Sequence, residues 1–380
     1  MDSVMQKYVN QEELHGCVTY VQQSGKVLLR RSYGFKDVEQ NEEMTNDAIF
    51  NIASMAKIVT AVGALKLYEE GKFMLDDPVK DYLPELGNLQ VLENMGTDSA
   101  VLVPLQRDIT IRDLFRHTAG FGYVQNKEEV KDEVDSLYIA YEVDLSNTSE
   151  EFLNRISQAP LKYQPGSQWE YSYSNDILGF LVERISQKSL HDYLKETIFI
   201  PLGMESTGFY ISEENASRLT NIYTHSDNQL QTVEGRSSDH FLTKPTIYSG
   251  GGGMPNDAGA LVSTVDDFAT FCTMLLQHGS YERKKVLQPP TVELLISDQI
   301  AGIEDRSFPL AGYGFGVGVN NQPYHGKTKA ISWTGAYNTF FLINYESNLV
   351  AIFLTQHHPW GYLNIMGEFA SVLEKTIPQH

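Results

Sequence analysis

The sequence predicts an α/β fold of the α+β type, in which helices flank a mostly antiparallel β-sheet and an all-helical domain is inserted. Strand-like segments lie near both ends of the 380-residue chain. The first two, CVTYVQQ and KVLLRRSYG, alternate around Ser24-Gly25 as in a β-hairpin. Four closely spaced apolar strands follow late in the chain, in YGFGVGV, KAISWTG, NTFFLINY and NLVAIFLTQ. Sequential hairpins of this kind favour antiparallel pairing.

The middle of the chain shows helical spacing instead, as in NDILGFLVERISQ. We therefore expect residues 1–78 and 246–380 to form one discontinuous α/β domain, and residues 79–245 to form a mostly helical inserted domain. The apolar patterns also predict helices at about 1–13, 55–70, 175–187, 265–278 and 362–375. Two patterns have the spacing of a helix-capping box, Thr110-x-x-Asp113 and Ser263-x-x-Asp266.

Composition limits the classes of partner and cofactor. Asp and Glu number 49 against 29 Lys and Arg, so the net charge is −20. A field of this sign repels nucleic acid and anionic membranes, and solubility explains the acidity simply. Cys17 and Cys272 are far apart and no Cys/His cluster is present, so we expect neither a disulfide framework nor a metal or other cofactor. The opening MDSVMQKYVNQEEL has no apolar signal core, which favours a cytoplasmic enzyme. The oligomeric state is not predicted.

Several common signatures of catalysis and nucleotide binding are missing from the sequence. It contains no GxSxG, HExxH, GxxxxGK[ST] or GxGxxG. The glycine-rich stretch SGGGGM at residues 249–254 has no following lysine, so a turn or packing role is favoured over a phosphate cradle.

The stretch Ser54-Met-Ala-Lys57 combines a nucleophile and a base in one helical turn. Residues three apart share a helix face, so the lysine amine can lie beside the serine hydroxyl. Ser54 stands near a predicted helix start, where free N–H groups favour developing negative charge. The pattern indicates an activated serine nucleophile. The alternative is a helix-capping serine followed by a lysine that extends to solvent.

Three further stretches supply candidate site residues. In EYSYSNDILGF, Tyr173 near a lysine could relay a proton, and Asn175 could hold a substrate carbonyl or amide; a plain helix start is the alternative. In SWTGA, a substrate could approach the strand end at Gly335, and the N–H of Ala336 could join that of Ser54 in an oxyanion hole. The alternative there is a strand end with a buried tryptophan.

The stretch DLFRHTAGFGY is predicted to be a helix that ends in a glycine-rich loop. His117 could act as a general base, but a role in holding the loop is favoured. Tyr123 is a candidate for a pocket wall.

In this order, S-x-x-K, HTAG, YSN and W-x-G resemble the serine β-lactamase-like superfamily of class C β-lactamases, D,D-peptidases and family VIII carboxylesterases. The segment IFNIASMAKIVTAVGALKLYEEGKFMLDDPVKDYLPEL is similar to the first active-site block of that superfamily almost throughout. Later blocks are similar too, so the resemblance spans about residues 15–375. It implies a mostly antiparallel sheet flanked by helices, a helical second domain, and an active site between the two.

Carried over residue by residue, the resemblance implies a role for each site residue. Ser54 is the acylated nucleophile, and Lys57 accepts or shares its proton. Tyr173, as the tyrosine of the Y-x-N motif, is a base or proton relay. Asn175 orients the acyl side of the substrate. The N–H groups of Ser54 and Ala336 form the oxyanion hole. Whether the lysine or the tyrosine is the general base stays open, because the two would titrate as a coupled pair.

One departure from the β-lactamase pattern bears on the substrate. β-Lactamases of this class carry K-T-G on the strand, where the lysine helps to recognise the β-lactam carboxylate, but this chain has Trp333 there. A neutral aromatic side chain cannot pair with a carboxylate. The W-x-G pattern resembles family VIII esterases and related acyltransferases, which favours ester substrates of modest size. Trp360, after the last strand, is also expected to reach the pocket.

The expected function is a serine hydrolase that forms an acyl-enzyme on small to medium carboxylic esters, or a transesterase, with weak β-lactam hydrolysis as a side activity. The alternatives are a β-lactamase, a D,D-peptidase or a D-amino-acid amidase on the same scaffold, and a non-catalytic binding homologue. In each case the expected partner is a small molecule, an ester or a β-lactam-like compound.

Overall fold

The computed structural model describes residues 1–124, 127–226, 229–233, 238–253, 259–307, 310–320 and 329–376. Its largest sheet has eight strands, all paired antiparallel with their neighbours. These strands are β1 (Gly16–Gln23), β2 (Lys26–Asp37), β3 (Glu42–Glu43), β4 (Gly312–Tyr313), β5 (Gly318–Val319), β6 (Ala330–Thr334), β7 (Phe340–Asn344) and β8 (Leu349–Leu354). Their order across the sheet is β4-β5-β6-β7-β8-β1-β2-β3. Strands from the two ends of the chain therefore meet at β8 and β1, which confirms the predicted fold class.

Short strand pairs lie outside this sheet. They are Phe50–Asn51 with Val262–Ser263, Gln90–Glu93 with Val101–Pro104, Ser280–Tyr281 with Lys284–Lys285, and a three-stranded group of Tyr223–Ser226, Gln229–Thr232 and His357–His358. Two of the hairpins fall within residues 79–245, so that region contains strands beside its helices. The predicted domain bounds stay a prediction. The stretch YGFGVGV forms the two short strands β4 and β5 instead of one long strand.

Eleven α-helices occur in the described ranges. They are α1 (Asp2–Asn10), α2 (Ala56–Glu69), α3 (Ile111–Phe115), α4 (Glu133–Ala140), α5 (Ser149–Ile156), α6 (Ser174–Ser186), α7 (Leu190–Leu194), α8 (Ile200–Leu202), α9 (Val265–Leu276), α10 (Pro289–Ile296) and α11 (Ile365–Thr376). The predicted helices are present with ends displaced by a few residues. Across the described part of the chain, no helix is both long enough and apolar enough to cross a membrane.

Helix caps agree with one of the two predicted capping boxes. Thr110 caps α3, with both hydrogen bonds of the Thr110–Asp113 box formed. Helix α9 begins at Val265, as predicted, but its cap is Thr264, which accepts a hydrogen bond from the N–H of Asp267. The predicted Ser263–Asp266 box is therefore wrong by one position.

The two faces of the sheet are covered by different helices. Along β8, side chains alternate between the faces, as the period of two requires. Ile352 packs into the large core that includes α2 and α9, whereas its neighbour Phe353 packs against α1 and α11, next to Met5 and Phe369. This alternation places α2 on the face of the sheet that also meets the helical part of the chain.

Helix α2 lies at the centre of the molecule. Every residue from 56 to 65 is buried, so this helix shows no polar face. At Gly63, a Cβ atom would collide with the side chain of Leu194 in α7, so glycine permits this close packing. A helix fixed on all sides is a rigid support for the residues at its amino-terminal end.

The buried carboxylate of Asp113 ties α3 to two arginines. Its side chain is fully buried and accepts hydrogen bonds from Arg107 at 2.6 and 2.9 Å, Arg116 at 3.0 Å and Thr118 at 2.7 Å. Desolvation alone raises the pKa of Asp113, but the hydrogen bonds from Arg107 and from the Thr110 backbone outweigh it and lower the pKa to about 2. The ionised form therefore stabilises the fold.

Replacing this carboxylate tests its contribution to stability. Because folding lowers the pKa of Asp113 from 3.8 to about 2, its stabilisation is present above its ordinary pKa and is lost as pH falls through 2. We expect Asp113→Asn to lower the free energy of unfolding at pH 7 by about 2–3 kcal/mol and by less at pH 3. Urea unfolding at both pH values measures this difference.

Asp76→Asn is the matched control. Asp76 is ion-paired with Arg112, but its side chain is 72% exposed. Its loss should cost less than about 1 kcal/mol at either pH, since water screens exposed ion pairs. An equal effect of the two substitutions would contradict the role assigned to the buried network.

Candidate active site

Ser54 lies in a tight turn that leads into α2. The turn is a single 3-10 turn, Ala53–Met55, and Ala53 has a positive φ of 45°, which is unusual for a residue with a side chain. The N–H of Ala53 donates to Oδ1 of Asn51 at 2.8 Å, and Asn51 is held in turn by two hydrogen bonds with Gln356. Strained backbone that its surroundings hold in place is frequent at functional sites.

The Ser54 hydroxyl is within reach of both a phenol and an amine. Its Oγ lies 2.6 Å from the hydroxyl oxygen of Tyr171 and accepts a hydrogen bond from Nζ of Lys57 at 3.2 Å. The Lys57 side chain is buried, and its Nζ also donates to the carbonyl of Gly251. The same Nζ lies 4.5 Å from the centre of the Tyr171 ring, where a cation is attracted to the ring face. The structure thus brings Ser54, Lys57 and Tyr171 together.

Tyr173 does not reach this group, and the role predicted for it is corrected on that ground. The Tyr173 side chain is 1% exposed, and its hydroxyl donates to the carbonyl of Val124. Its ring packs against Tyr123, Tyr138 and Phe152 in the core. Tyr171, two residues earlier, occupies the position beside Ser54 that the sequence analysis gave to Tyr173.

Helix spacing explains which tyrosine is buried, and it is a signal that the sequence contains. Tyr173 is the cap of α6 and stands four residues before Ile177 and seven before Phe180, so all three share the buried helix face. Tyr171 precedes the helix, so helical spacing does not direct its side chain to that buried face. Only Tyr173 has an asparagine two residues later, so the Y-x-N motif selects it, whereas the helical spacing indicates that its side chain is buried and that Tyr171 is the tyrosine beside Ser54.

Aromatic rings hold Tyr171 in place. Its ring lies 5.1 Å from His117, 6.1 Å from Trp333 in a stacked arrangement, and 5.4 Å from Tyr123 edge-on. His117 is buried, and its Nδ1 lies 3.1 Å from Oγ of Ser172. Desolvation, followed by the charge of Lys57, lowers the pKa of His117 well below its ordinary value. A neutral His117 that holds the loop agrees with its favoured role.

The glycine-rich stretch packs directly behind Ser54. A Cβ atom on Gly252 would lie 2.7 Å from the nitrogen of Ser54, and one on Gly250 would lie 3.0 Å from Thr60 Cγ2. A side chain at either position would therefore displace the loop from α2. The predicted packing role of this stretch agrees with these contacts, but the sequence did not indicate that it contacts the site.

A cavity of about 450 Å³ opens beside Ser54. Besides Ser54, its lining includes five predicted site residues, Tyr123, Trp333, Gly335, Ala336 and Trp360, which agrees with their predicted placement. The other residues that line it were not predicted from the sequence; they are Glu129, Lys131, Trp169, Glu170, Tyr171, Ser307 and Thr334. In the described ranges, no three His, Cys, Asp or Glu side chains lie together so as to hold a metal ion.

Asn175 is outside this cavity, contrary to its predicted place. Its side chain is fully buried, and its Nδ2 lies 3.2 Å from Nε2 of His117. The first turn of α6 points this amide towards the loop of His117, so it does not line the space where a substrate would lie.

The strand end at Gly335 approaches the segment before the nucleophile. A Cβ atom on Gly335 would lie 2.6 Å from the carbonyl oxygen of Ile52 and 3.3 Å from Cβ of Ala53. Only glycine allows this approach. It places Ala336, which follows, beside the same cavity as Ser54.

Comparisons with known proteins identify a family and several relatives of the chain. A family model described as Beta-lactamase matches residues 1–369. The chain is 31% identical over 360 residues to Protein Rv1367c of Mycobacterium tuberculosis (strain ATCC 25618 / H37Rv), covering 91% of this chain and 86% of the relative. It is 27% identical over 372 residues to Esterase EstB of Burkholderia gladioli, covering 93% and 89%. The solved structure of EstCE1, a hydrolase with promiscuous acyltransferase activity, has a TM-score of 0.79 at 23% identity and covers 98% and 97%.

The choice between the two tyrosines can be tested by removing each hydroxyl. We expect Tyr171→Phe to lower kcat/KM on p-nitrophenyl butyrate by about 10²–10⁴-fold, the range that a positioned proton-transfer group contributes, with little change in Tm. Tyr173→Phe should keep kcat/KM within about threefold but lower stability by roughly 1–3 kcal/mol, because the buried Val124 carbonyl loses its donor.

Each variant is the control for the other, since both remove one phenolic oxygen from a neighbouring position. Steady-state kinetics and thermal unfolding on the same preparations separate the two effects. Activity lost in Tyr173→Phe and kept in Tyr171→Phe would contradict the assignment.

Proposed function

The chain belongs to the beta-lactamase family, and we propose that it is a serine esterase that hydrolyses small to medium carboxylic esters through an acyl-enzyme. One observation carries the proposal: the Ser54 hydroxyl is within hydrogen-bond reach of both Tyr171 and Lys57. A nucleophile activated by a coupled base beside an open cavity fits acyl transfer. The relative EstB is named as an esterase, which supports the same reaction.

In the proposed acylation step, Oγ of Ser54 attacks the ester carbonyl carbon, and its proton passes into the Lys57–Tyr171 pair. Both groups are placed to take the proton, because the Tyr171 hydroxyl and the Lys57 amine each lie within hydrogen-bond distance of Oγ. The N–H groups of Ser54 and Ala336 hold the developing oxyanion. When the carbon–oxygen bond to the alcohol breaks, the leaving alkoxide takes the proton back from the pair.

In the proposed deacylation step, water attacks the acyl carbon and gives a proton to the same pair. The pair returns it to Oγ of Ser54 as the acid leaves, so the enzyme ends unchanged. An alcohol in place of water would give a new ester, which is the transesterase variant. The structural neighbour EstCE1, described as a hydrolase with acyltransferase activity, makes that variant the second candidate.

Trp333 supports esters over β-lactams as substrates. Its ring lies in the cavity wall, stacked on Tyr171 and edge-on to Tyr313 at 5.2 Å. An apolar ring at this position gives a substrate carboxylate no partner and leaves it poorly solvated. Apolar acyl or alcohol groups would instead gain from contact with the aromatic wall.

The other hypotheses have less support. The amidase and peptidase alternatives drew on Asn175, whose side chain faces His117 and not the cavity. The non-catalytic alternative expects a broken site, whereas the serine, lysine and tyrosine are all present and in contact.

Substrate profiles test the proposal. We expect the wild type to hydrolyse p-nitrophenyl butyrate with kcat/KM at least about 100-fold above that for nitrocefin, whose carboxylate meets Trp333. Ser54→Ala should lose both activities. In Trp333→Lys, the ratio of nitrocefin to ester kcat/KM should rise by roughly tenfold or more, since a cation then faces the carboxylate.

Trp333→Phe is the matched control, because it also makes the side chain smaller but adds no charge. Its ratio should stay close to that of the wild type. The same rise in Phe and Lys variants would show that size, and not charge, selects the substrate. Ester hydrolysis that survives Ser54→Ala would overturn the proposed mechanism.

A further inference from the structure

We propose that Asp176 is a positioning residue for Lys57: its carboxylate fixes the glycine-rich loop that binds the lysine ammonium and supplies the balancing negative charge. The inference rests on the proposed ester chemistry of Ser54, because its main readout is catalysis. The sequence motifs assign no role to Asp176, and it does not line the cavity; it lies in the first turn of α6 and is 1% exposed.

Gly251 links the two charges. Oδ1 of Asp176 accepts hydrogen bonds from the N–H of Gly251 at 3.1 Å and from Oγ of Ser249 at 2.5 Å. The carbonyl of the same glycine accepts the hydrogen bond from Nζ of Lys57. Gly251 is therefore held by the carboxylate at its nitrogen and by the ammonium at its oxygen.

Ser249 connects the Asp176 carboxylate to the rest of the glycine-rich loop. Its Oγ accepts from the N–H groups of Gly252 at 3.0 Å and Gly253 at 2.8 Å, while its own proton goes to Asp176. Gly252 in turn packs against Ala53 and the nitrogen of Ser54. A shift of the Asp176 carboxylate would thus displace both the Gly251 carbonyl that binds Lys57 and the turn that holds Ser54.

Burial makes the charge of Asp176 important. An ammonium removed from water needs compensation by an opposite charge and by hydrogen bonds. Desolvation raises the pKa of Asp176, whereas the charge of Lys57 and the hydrogen bond from Ser249 act in the opposite direction. The charge of Lys57 therefore favours the ionised form of Asp176, although burial keeps the pKa of this carboxyl above its ordinary value.

The other titratable groups around this pair do not supply the charge. His117 is kept neutral by burial and by the nearby Lys57. Burial raises the pKa of Tyr123 and Tyr173, whose hydroxyls both feel the charge of Asp176. Tyr171 contacts Ser54 and presents its ring face to the ammonium. Asp176 is the carboxylate among these groups.

Three substitutions separate charge from geometry. Asp176→Asn keeps the shape and an oxygen acceptor but removes the charge. Ser249→Ala keeps the charge but breaks the link to the loop. Asp267→Asn is the control, since this partly buried carboxylate accepts from Ser206 N–H and the Thr207 hydroxyl, both at 2.8 Å, and desolvation raises its pKa as well. The readout is the pH profile of kcat/KM on p-nitrophenyl butyrate.

We expect Asp176→Asn to lower kcat/KM at the wild-type optimum by tenfold or more and to move one limb of the pH profile to lower pH by about one unit or more. The direction follows because an ammonium without its anion releases its proton more easily. Ser249→Ala should lower kcat/KM without moving that limb, and Asp267→Asn should change neither. A proportional loss at every pH in Asp176→Asn would overturn the charge role.

A double-mutant cycle with Lys57→Met tests the pairing of Asp176 with Lys57 by thermal unfolding, even if Asp176→Asn folds poorly. Each single variant leaves one buried charge unbalanced, so the double variant should have a higher Tm than additivity predicts. Additive Tm changes would overturn the pairing. Fluorophosphonate labelling of wild-type Ser54 distinguishes a failure of the ester proposal from a failure of the role proposed for Asp176. Without labelling the ester proposal fails, whereas labelling with an unmoved pH limb refutes the role of Asp176 alone.

Discussion

The buried ammonium group of Lys57 is the constraint to which the rest of the site is fitted. A charge in the second residue of a helix whose first ten residues are all buried is costly unless each of its donors finds an acceptor. Those acceptors are the Ser54 hydroxyl and the Gly251 carbonyl, and the face of the Tyr171 ring covers the remaining side. The groups that satisfy the lysine are therefore the same groups that surround the nucleophile.

The fold gathers these groups from distant parts of the chain. Ser54 and Lys57 belong to the start of α2, Tyr171 to the segment before α6, Gly251 to the loop before α9, and Trp333 to β6. Helix α2 packs between the sheet and the helical region, so elements from both sides can reach its amino-terminal end. Glycines occur where backbone must touch backbone, as at residues 252 and 335. The same close packing that stabilises α2 thus fixes the catalytic geometry.

Local patterns predicted the strands at both ends, most helices, and Ser54 with Lys57, because period and spacing act within a few residues of sequence. The choice between Tyr171 and Tyr173 depended on which one the first turn of α6 buries, and the motif outweighed the helical spacing that indicated it. Asn175 was misplaced for the same reason, since it shares that first turn. The contact of Asp176 with Gly251 joins residues far apart in sequence, and no local pattern encodes it.

The central claim is that Ser54 carries the acyl group and that Tyr171 and Lys57 put it there. Acid-quenched reactions with a slowly released p-nitrophenyl ester, followed by peptide mass mapping, locate the acyl group directly. The account predicts one acyl mass increment, confined to the peptide that contains Ser54 in the wild type and absent within the same reaction time in Tyr171→Phe and Lys57→Met. An acyl group on another residue, or equal acylation of Ser54 in those variants, would contradict it.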